Sequence, residues 1–79
     1  MDTPLREAVR AILYRERGKA TLSNVIATLR HQGWKKLGAV EDFETWCIEQ
    51  GFHIEHHYKD AAKTIRTRTF VTLPEKEAA

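Results

Sequence analysis

The sequence lacks the features that mark secreted and membrane-spanning proteins. Its single cysteine, Cys47, has no second thiol in the chain with which to form a disulfide, which is typical of proteins in a reducing compartment. No stretch approaches the roughly eighteen apolar residues that a membrane span needs. The first residues, Met1 to Pro4, do not begin a basic segment followed by an apolar run, as a secretory signal does. We therefore expect a cytoplasmic protein that does not bind membranes.

Catalytic signatures are also missing. The chain has no glycine-rich phosphate loop, no nucleophile elbow and no pair of acids at a catalytic spacing. A domain of 79 residues does not readily supply a ligand pocket of several hundred cubic ångström. We expect a binding protein that is not an enzyme and uses no cofactor.

What the chain does contain is an ordinary composition with an uneven distribution of charge. A hydrophobic content of 42% and a charged content of 30% argue against wholesale disorder. Residues 1–37 carry eight basic side chains and three acidic ones, residues 38–58 carry five acids and no Lys or Arg, and residues 59–73 carry four basic side chains and one acid. A negative segment thus lies between two positive ones. We expect one domain over residues 1–74 and a disordered tail over residues 75–79.

Two amphipathic helices are predicted in the first half of the chain. Thr3 is the expected N-cap of the first helix, and Gly18 can close that helix in a left-handed conformation. After a short extended segment, Thr21 or Ser23 caps a second helix, which Gly33 ends. In both helices the apolar residues recur at helical spacing, which predicts one buried face on each.

A third helix is predicted over about residues 39–50, with Gly51 as its stop. Glu41 and Asp42 lie in its first turn, where the helix dipole favours negative charge. The residues expected on its core side are Val40, Phe43, Trp46 and Cys47. Those expected to point outward are Glu41, Asp42, Glu44, Thr45 and Glu49.

Beyond the third helix the apolar period changes from helical to twofold. Residues 52–58 alternate as a half-buried strand does, and residues 65–73, rich in β-branched side chains, predict its antiparallel partner. A polar loop lies between them. The buried face of the second strand stays open, because Phe70 lies on the opposite face from Val71 and Leu73.

Two segments carry a resemblance to a known fold. Residues 20–29, ATLSNVIATL, have the pattern of a short strand that enters a helix, and residues 48–54, IEQGFHI, that of a helix that exits into a hairpin. With the order of the elements, these segments resemble the winged helix-turn-helix superfamily over residues 4–73. The resemblance implies an α+β fold, a three-helix bundle with a C-terminal β-hairpin, with double-stranded DNA as the partner. In most such domains the third helix enters the major groove, and the hairpin loop, or wing, contacts phosphates or the minor groove.

The basic residues of the wing are the leading candidates for DNA contacts. Arg66 and Arg68 are two residues apart on a strand, so we expect them on one face, where they can straddle phosphates or enter a narrow minor groove. The alternative is that these charges protect an edge strand from aggregation. Lys35 and Lys36 either clamp the DNA backbone or compensate the dipole of the second helix. The full candidate set is Arg30, Lys35, Lys36, Thr45, Lys59, Lys63, Arg66 and Arg68.

The acidic third helix departs from the pattern of that superfamily, because acids that face phosphates are repelled. We therefore expect a transcriptional regulator or accessory factor that holds the duplex through the wing and flanking basic residues, with weak or shape-based sequence preference. The alternative is a protein-interaction module that binds a basic partner protein. A homodimer through the first helix is compatible with either function. The acids assigned to the alternative are Glu41, Asp42, Glu44 and Glu49.

The histidines and the cysteine raise the question of a metal site. Strand alternation places His53 and His56 on opposite faces, and no second cysteine completes a zinc motif with Cys47. We expect no metal, and we expect Cys47 to be a buried residue of the core.

Overall fold

The computed structural model describes residues 2–74 and shows three helices and a three-stranded antiparallel sheet. The predicted α+β class is confirmed, whereas the predicted tail, residues 75–79, lies outside the described residues. Within residues 2–74, no helix is both long and apolar enough to cross a membrane. The elements in chain order are α1 (Asp2–Arg15), β1 (Lys19–Thr21), α2 (Leu22–His31), α3 (Val40–Glu49), β2 (His53–Tyr58) and β3 (Arg66–Thr72).

The helix ends follow the local chemistry of the sequence. Thr21 is the N-cap of α2, and its Oγ1 accepts a hydrogen bond of 3.2 Å from the amide of Asn24. Gly18, at φ 94°, follows α1 in the left-handed conformation that favours glycine. Helix α1 begins at Asp2, so Thr3 lies inside its first turn and does not cap it.

The sheet places its last strand in the centre. The strand order is β1-β3-β2, so β3 is hydrogen-bonded on both sides. Val71 of β3 pairs with Ala20 of β1 and with Ile54 of β2. Val71 and Ala20 are buried and Ile54 packs against the same core cluster, so this face of the sheet is covered by the helices.

The burial of individual residues shows which face of β3 packs against the core. Val71 and Leu73 are 0% and 3% exposed, so their face of β3 is the buried one, and Phe70 is half-buried on the other. Val40 was predicted in the core but is 49% exposed, because this first residue of α3 borders a groove. Trp46 is only half-buried against the core. The core cluster consists of Val9, Ile12, Leu13, Ala20, Leu22, Val25, Ile26, Leu29, Phe43, Cys47, Phe52, Val71 and Leu73.

Candidate functional site

A groove lined by arginines opens between α2, the start of α3 and β3. Its wider part has a volume of about 570 Å³ and lies beside Arg66 and Arg68. A narrower part, of about 230 Å³, continues along α2 to Arg30. Val40 lines both parts, so they form one groove, called the arginine groove below. The wider part is also lined by the hydroxyl-bearing residues Thr21, Ser23, Thr67 and Thr69.

The spacing of Arg66 and Arg68 predicted that they share one face of β3. In the structure they do not. Arg68 pairs with His57 but Arg66 pairs with Tyr58, so Thr67 is an extra residue and forms a β-bulge. Because paired residues point to the same face of a sheet, Arg68 belongs to the outer face and Arg66 to the face that the helices cover. The bulge separates the two arginines, although both residues line the groove.

Glu44 was predicted to point into solvent, but in the structure it faces the sheet. Its side chain is only 14% exposed, with Oε1 at 2.7 Å from Nε2 of His56 and Oε2 at 3.9 Å from Nη1 of Arg66. Nδ1 of His56 lies in turn 3.1 Å from Oγ1 of Thr69. This network ties α3 to both β2 and β3, and it places a negative charge beside one arginine of the groove.

The loop between β2 and β3 is held in shape by Asp60. Its Oδ1 accepts hydrogen bonds of 3.0 Å from the amides of Thr64 and Ile65, and its Oδ2 accepts one from the Thr64 hydroxyl. The hydroxyl of Thr64, followed by the amide of Ile65, lowers the pKa of Asp60 below its ordinary value. Lys59 and Lys63 are exposed and form no ion pair with any residue from 2 to 74. The hydrogen bonds to Asp60 therefore hold the shape of a loop that carries two exposed ammonium groups.

Lys35 and Lys36 line a different groove, on the opposite flank of α3. It has a volume of about 510 Å³ and lies between α1, the segment that joins α2 to α3, and α3 itself. Its walls include Trp34 and Trp46, and we call it the tryptophan groove. Both grooves are open to solvent, and each reaches a volume that a domain of this size does not readily supply.

The outward face of α3 keeps three of its four predicted acids. Glu41, Asp42 and Glu49 are exposed, and none of them forms an ion pair with another described residue. Thr45 is also exposed, but its hydroxyl donates to the carbonyl of Glu41 at 3.0 Å. Ile48, next to Glu49, is 55% exposed. This face is acidic around an apolar side chain and carries no basic residue.

The outer face of the sheet holds a separate charged cluster. Oε2 of Glu55 lies 2.8 Å from Nε2 of His57 and 3.0 Å from Nζ of Lys19. The hydrogen bond from His57, followed by that from Lys19, lowers the pKa of Glu55 from its ordinary 4.5 to about 2. The Lys19 ammonium and the His57 ring also lie 4.7 Å and 4.8 Å from the centre of the Phe70 ring. The cluster thus covers the aromatic residue that the core leaves out.

The histidines and Cys47 do not gather at one point. His56 contacts α3, whereas His57 belongs to the outer face of the sheet. From residue 2 to residue 74, no three His, Cys, Asp or Glu side chains are placed to hold a metal ion. Cys47 is 0% exposed, and burial, assisted by the charge of Glu44, raises the pKa of its thiol to about 12.

Sequence reasoning missed three parts of the arginine groove. It placed Val40 in the core, it considered Thr21 and Ser23 only as caps, and it gave Glu44 no partner. One available signal was His56, a titratable residue on the same face of the twofold pattern as the apolar Ile54, because such a residue needs a polar partner when it is partly buried. The positions of Val40, Thr21 and Ser23 in the groove depend on where the sheet lies against α2. The spacing of residues along the sequence does not predict that arrangement.

Comparison with known proteins adds no family to these observations. No protein-family model matches the chain, and no curated protein or solved structure is significantly similar to it.

Proposed function

We propose that this chain is a winged helix-turn-helix protein that binds double-stranded DNA, as a transcriptional regulator or an accessory factor. The connectivity supports this fold, because β1 lies between α1 and α2, and β2 and β3 follow α3 as an antiparallel pair. The loop between β2 and β3, with the first residues of β3, is then the wing, over residues 59–68. Its two arginines line the groove beside α2.

The observation that carries the proposal is the meeting of three arginines in one groove. Arg30, in the last turn of α2, lines the narrower part of the groove, and Arg66 and Arg68, at the start of β3, line the wider part, Arg68 from the outer face of the sheet. All three are exposed, and Arg30 and Arg68 form no ion pair with any described residue. Guanidinium groups bind phosphate oxygens in a bidentate manner, and nearby hydroxyls can donate to the same oxygens.

The acidic face of α3 determines how the duplex lies. Glu41 and Glu49 are exposed on α3, so phosphates repel this helix and keep it out of the major groove. The arginine groove therefore holds the DNA backbone, and Lys59 and Lys63 of the wing extend the contact. Because most of these contacts reach phosphates, sequence preference is weak and comes from the shape of the duplex.

The test is a salt titration of binding to a fluorescently labelled duplex of random sequence, followed by anisotropy. Replacing Arg66 and Arg68 with alanine removes two phosphate contacts, so the slope of log affinity against log salt falls by about two units. The matched control is Lys35→Ala with Lys36→Ala, which removes the same charge from the tryptophan groove. We expect the control to keep the slope of the unmodified protein.

Two results would contradict this proposal. If the unmodified protein shows no binding to duplex DNA at low salt, the chain is not a DNA-binding protein. If the Arg66→Ala, Arg68→Ala protein and the lysine control lose the same amount of affinity and slope, binding reflects general positive charge and not the arginine groove.

A second function is favoured by the outward face of α3. Glu41, Asp42 and Glu49 lack ion pairs among the described residues, and Ile48 is 55% exposed beside them. An apolar centre with a charged rim is typical of protein interfaces, and this rim fits a basic partner. If duplex binding is absent and Glu41→Gln with Glu49→Gln abolishes a complex with a partner protein, this function replaces the first.

A further inference from the structure

The tryptophan groove is a second concave site, separate from the proposed DNA interface. Its volume of about 510 Å³ falls within the range of roughly 300–1,000 Å³ that is usual for small-molecule sites. Three segments of the chain build it, since α1 contributes Leu5, residues 33–37 form one wall, and α3 contributes Phe43 and Trp46. A site built from three segments is formed by the tertiary fold and is not a gap within one element.

The walls of this groove are mostly flat and apolar. Trp34, Leu37 and Trp46 are each only half-buried, so their apolar surfaces remain available to a ligand. The ring of Trp46 stacks on the buried ring of Phe43 with their centres 5.6 Å apart, so the core supports the indole that lines the groove. Aromatic side chains prefer offset or edge contacts with other aromatic rings, so such walls favour a planar ligand body.

The polar groups of the groove are few, and they are of the kind that bind a carboxylate. Lys35 and Lys36 line it, are exposed, and form no ion pair with any residue of the described chain. Two ammonium donors therefore stand against a single acid, Asp42.

We propose that the tryptophan groove binds a small aromatic carboxylate. The aromatic ring packs against the indole rings of Trp34 and Trp46, and the carboxylate pairs with the ammonium groups of Lys35 and Lys36. Asp42 can accept a hydrogen bond from a ring N–H or hydroxyl of the same ligand. The inference does not depend on DNA binding, because none of these residues lines the arginine groove.

The experiment uses two probes that share a ring and differ in charge, indole-3-acetate and tryptamine. Each is titrated into the ¹⁵N-labelled protein, and the backbone and indole N–H signals are followed by NMR. We expect indole-3-acetate to shift the signals of Trp34, Trp46 and residues 33–37 in a saturable manner. Replacing Lys35 and Lys36 with alanine weakens its binding by about fivefold, the upper range for exposed charge pairs.

The matched control removes the same charge from the wing, with Lys59→Ala and Lys63→Ala, and is expected to bind indole-3-acetate as the unmodified protein does. Equal binding of tryptamine, or shifts spread evenly over the surface, would overturn the proposal. So would groove signals that change with protein concentration in the absence of a probe, since a second copy of the chain would then cover the groove.

Discussion

The tryptophan groove, of about 510 Å³, is close in volume to the wider part of the arginine groove, of about 570 Å³, but the two grooves on either side of α3 have opposite linings. The arginine groove joins guanidinium groups to hydroxyls, whereas the tryptophan groove joins aromatic rings to lysines. The contribution of α3 also differs, because Val40, which lines the arginine groove, is 49% exposed, whereas Phe43, one of the residues that line the tryptophan groove, is 2% exposed. The comparison shows that the size of a groove says little about its ligand. One groove suits a polyanion at the surface, and the other suits a ring that packs against the core.

The largest expected difference between the grooves is in stability. Phe43→Ala removes a core side chain at a cost of about 3–5 kcal/mol, which is comparable to the whole stability that the core of so small a domain supplies. Val40→Ala removes half-solvated methyl groups from the arginine groove and costs less than about 1 kcal/mol. Urea unfolding followed by circular dichroism should therefore show a cooperative transition for V40A and little or none for F43A. Similar midpoints for the two variants would mean that the grooves do not differ in this way.

A smaller effect, with opposite signs for stability and binding, is expected from Glu44→Gln. The substitution weakens the contact with His56 and costs about 1 kcal/mol of stability, the difference between a charged and a neutral hydrogen bond. It also removes the negative charge 3.9 Å from Arg66, so affinity for duplex DNA rises by up to about fivefold. Denaturation and anisotropy measure the two effects. Glu41→Gln removes the same charge from an exposed position, and equal behaviour of the two variants would leave Glu44 without a special role.

The smallest effect concerns Glu55, which lines neither groove. Its pKa is lowered from 4.5 to about 2 in the folded chain, so its contribution to stability is present above pH 4.5 and is lost as the pH falls towards 2. Glu55→Gln should flatten the dependence of stability on pH in this window. Binding in both grooves at neutral pH should stay within about twofold of the unmodified protein. Glu49→Gln is the control, and the same flattening in that variant would remove the Glu55 cluster from the explanation.

Local patterns were enough to predict most of the elements. Thr21 caps α2, Gly18 and Gly51 follow helices at positive φ, and the twofold pattern after α3 becomes β2. These features depend on residues within one or two turns of each other, so the sequence alone contains them. The stretch from Ile65 to Leu73 was likewise predicted as a strand, with β3 now at Arg66–Thr72.

Features that depend on packing between elements were not predicted. The alternation of side chains along a regular strand predicted that Arg66 and Arg68 lie on one face. The bulge at Thr67 breaks this alternation, and no feature of the sequence indicates it. Helical spacing predicted that Glu44 points outward. A residue on the flank of a helix is buried only if another element, here the sheet, lies beside it. The two grooves follow from the same cause, since each forms where elements distant in sequence approach without filling the space between them.

The central position of β3 affects how the chain folds during its synthesis. Lys19 and Thr72 are paired across the sheet, so β1 has no partner until the chain has been synthesised past β3. Contacts so far apart in sequence slow folding. The helices can form during synthesis, but the sheet completes only after β3 emerges, and a chain cut before Arg66 has no strand that joins β1 to β2.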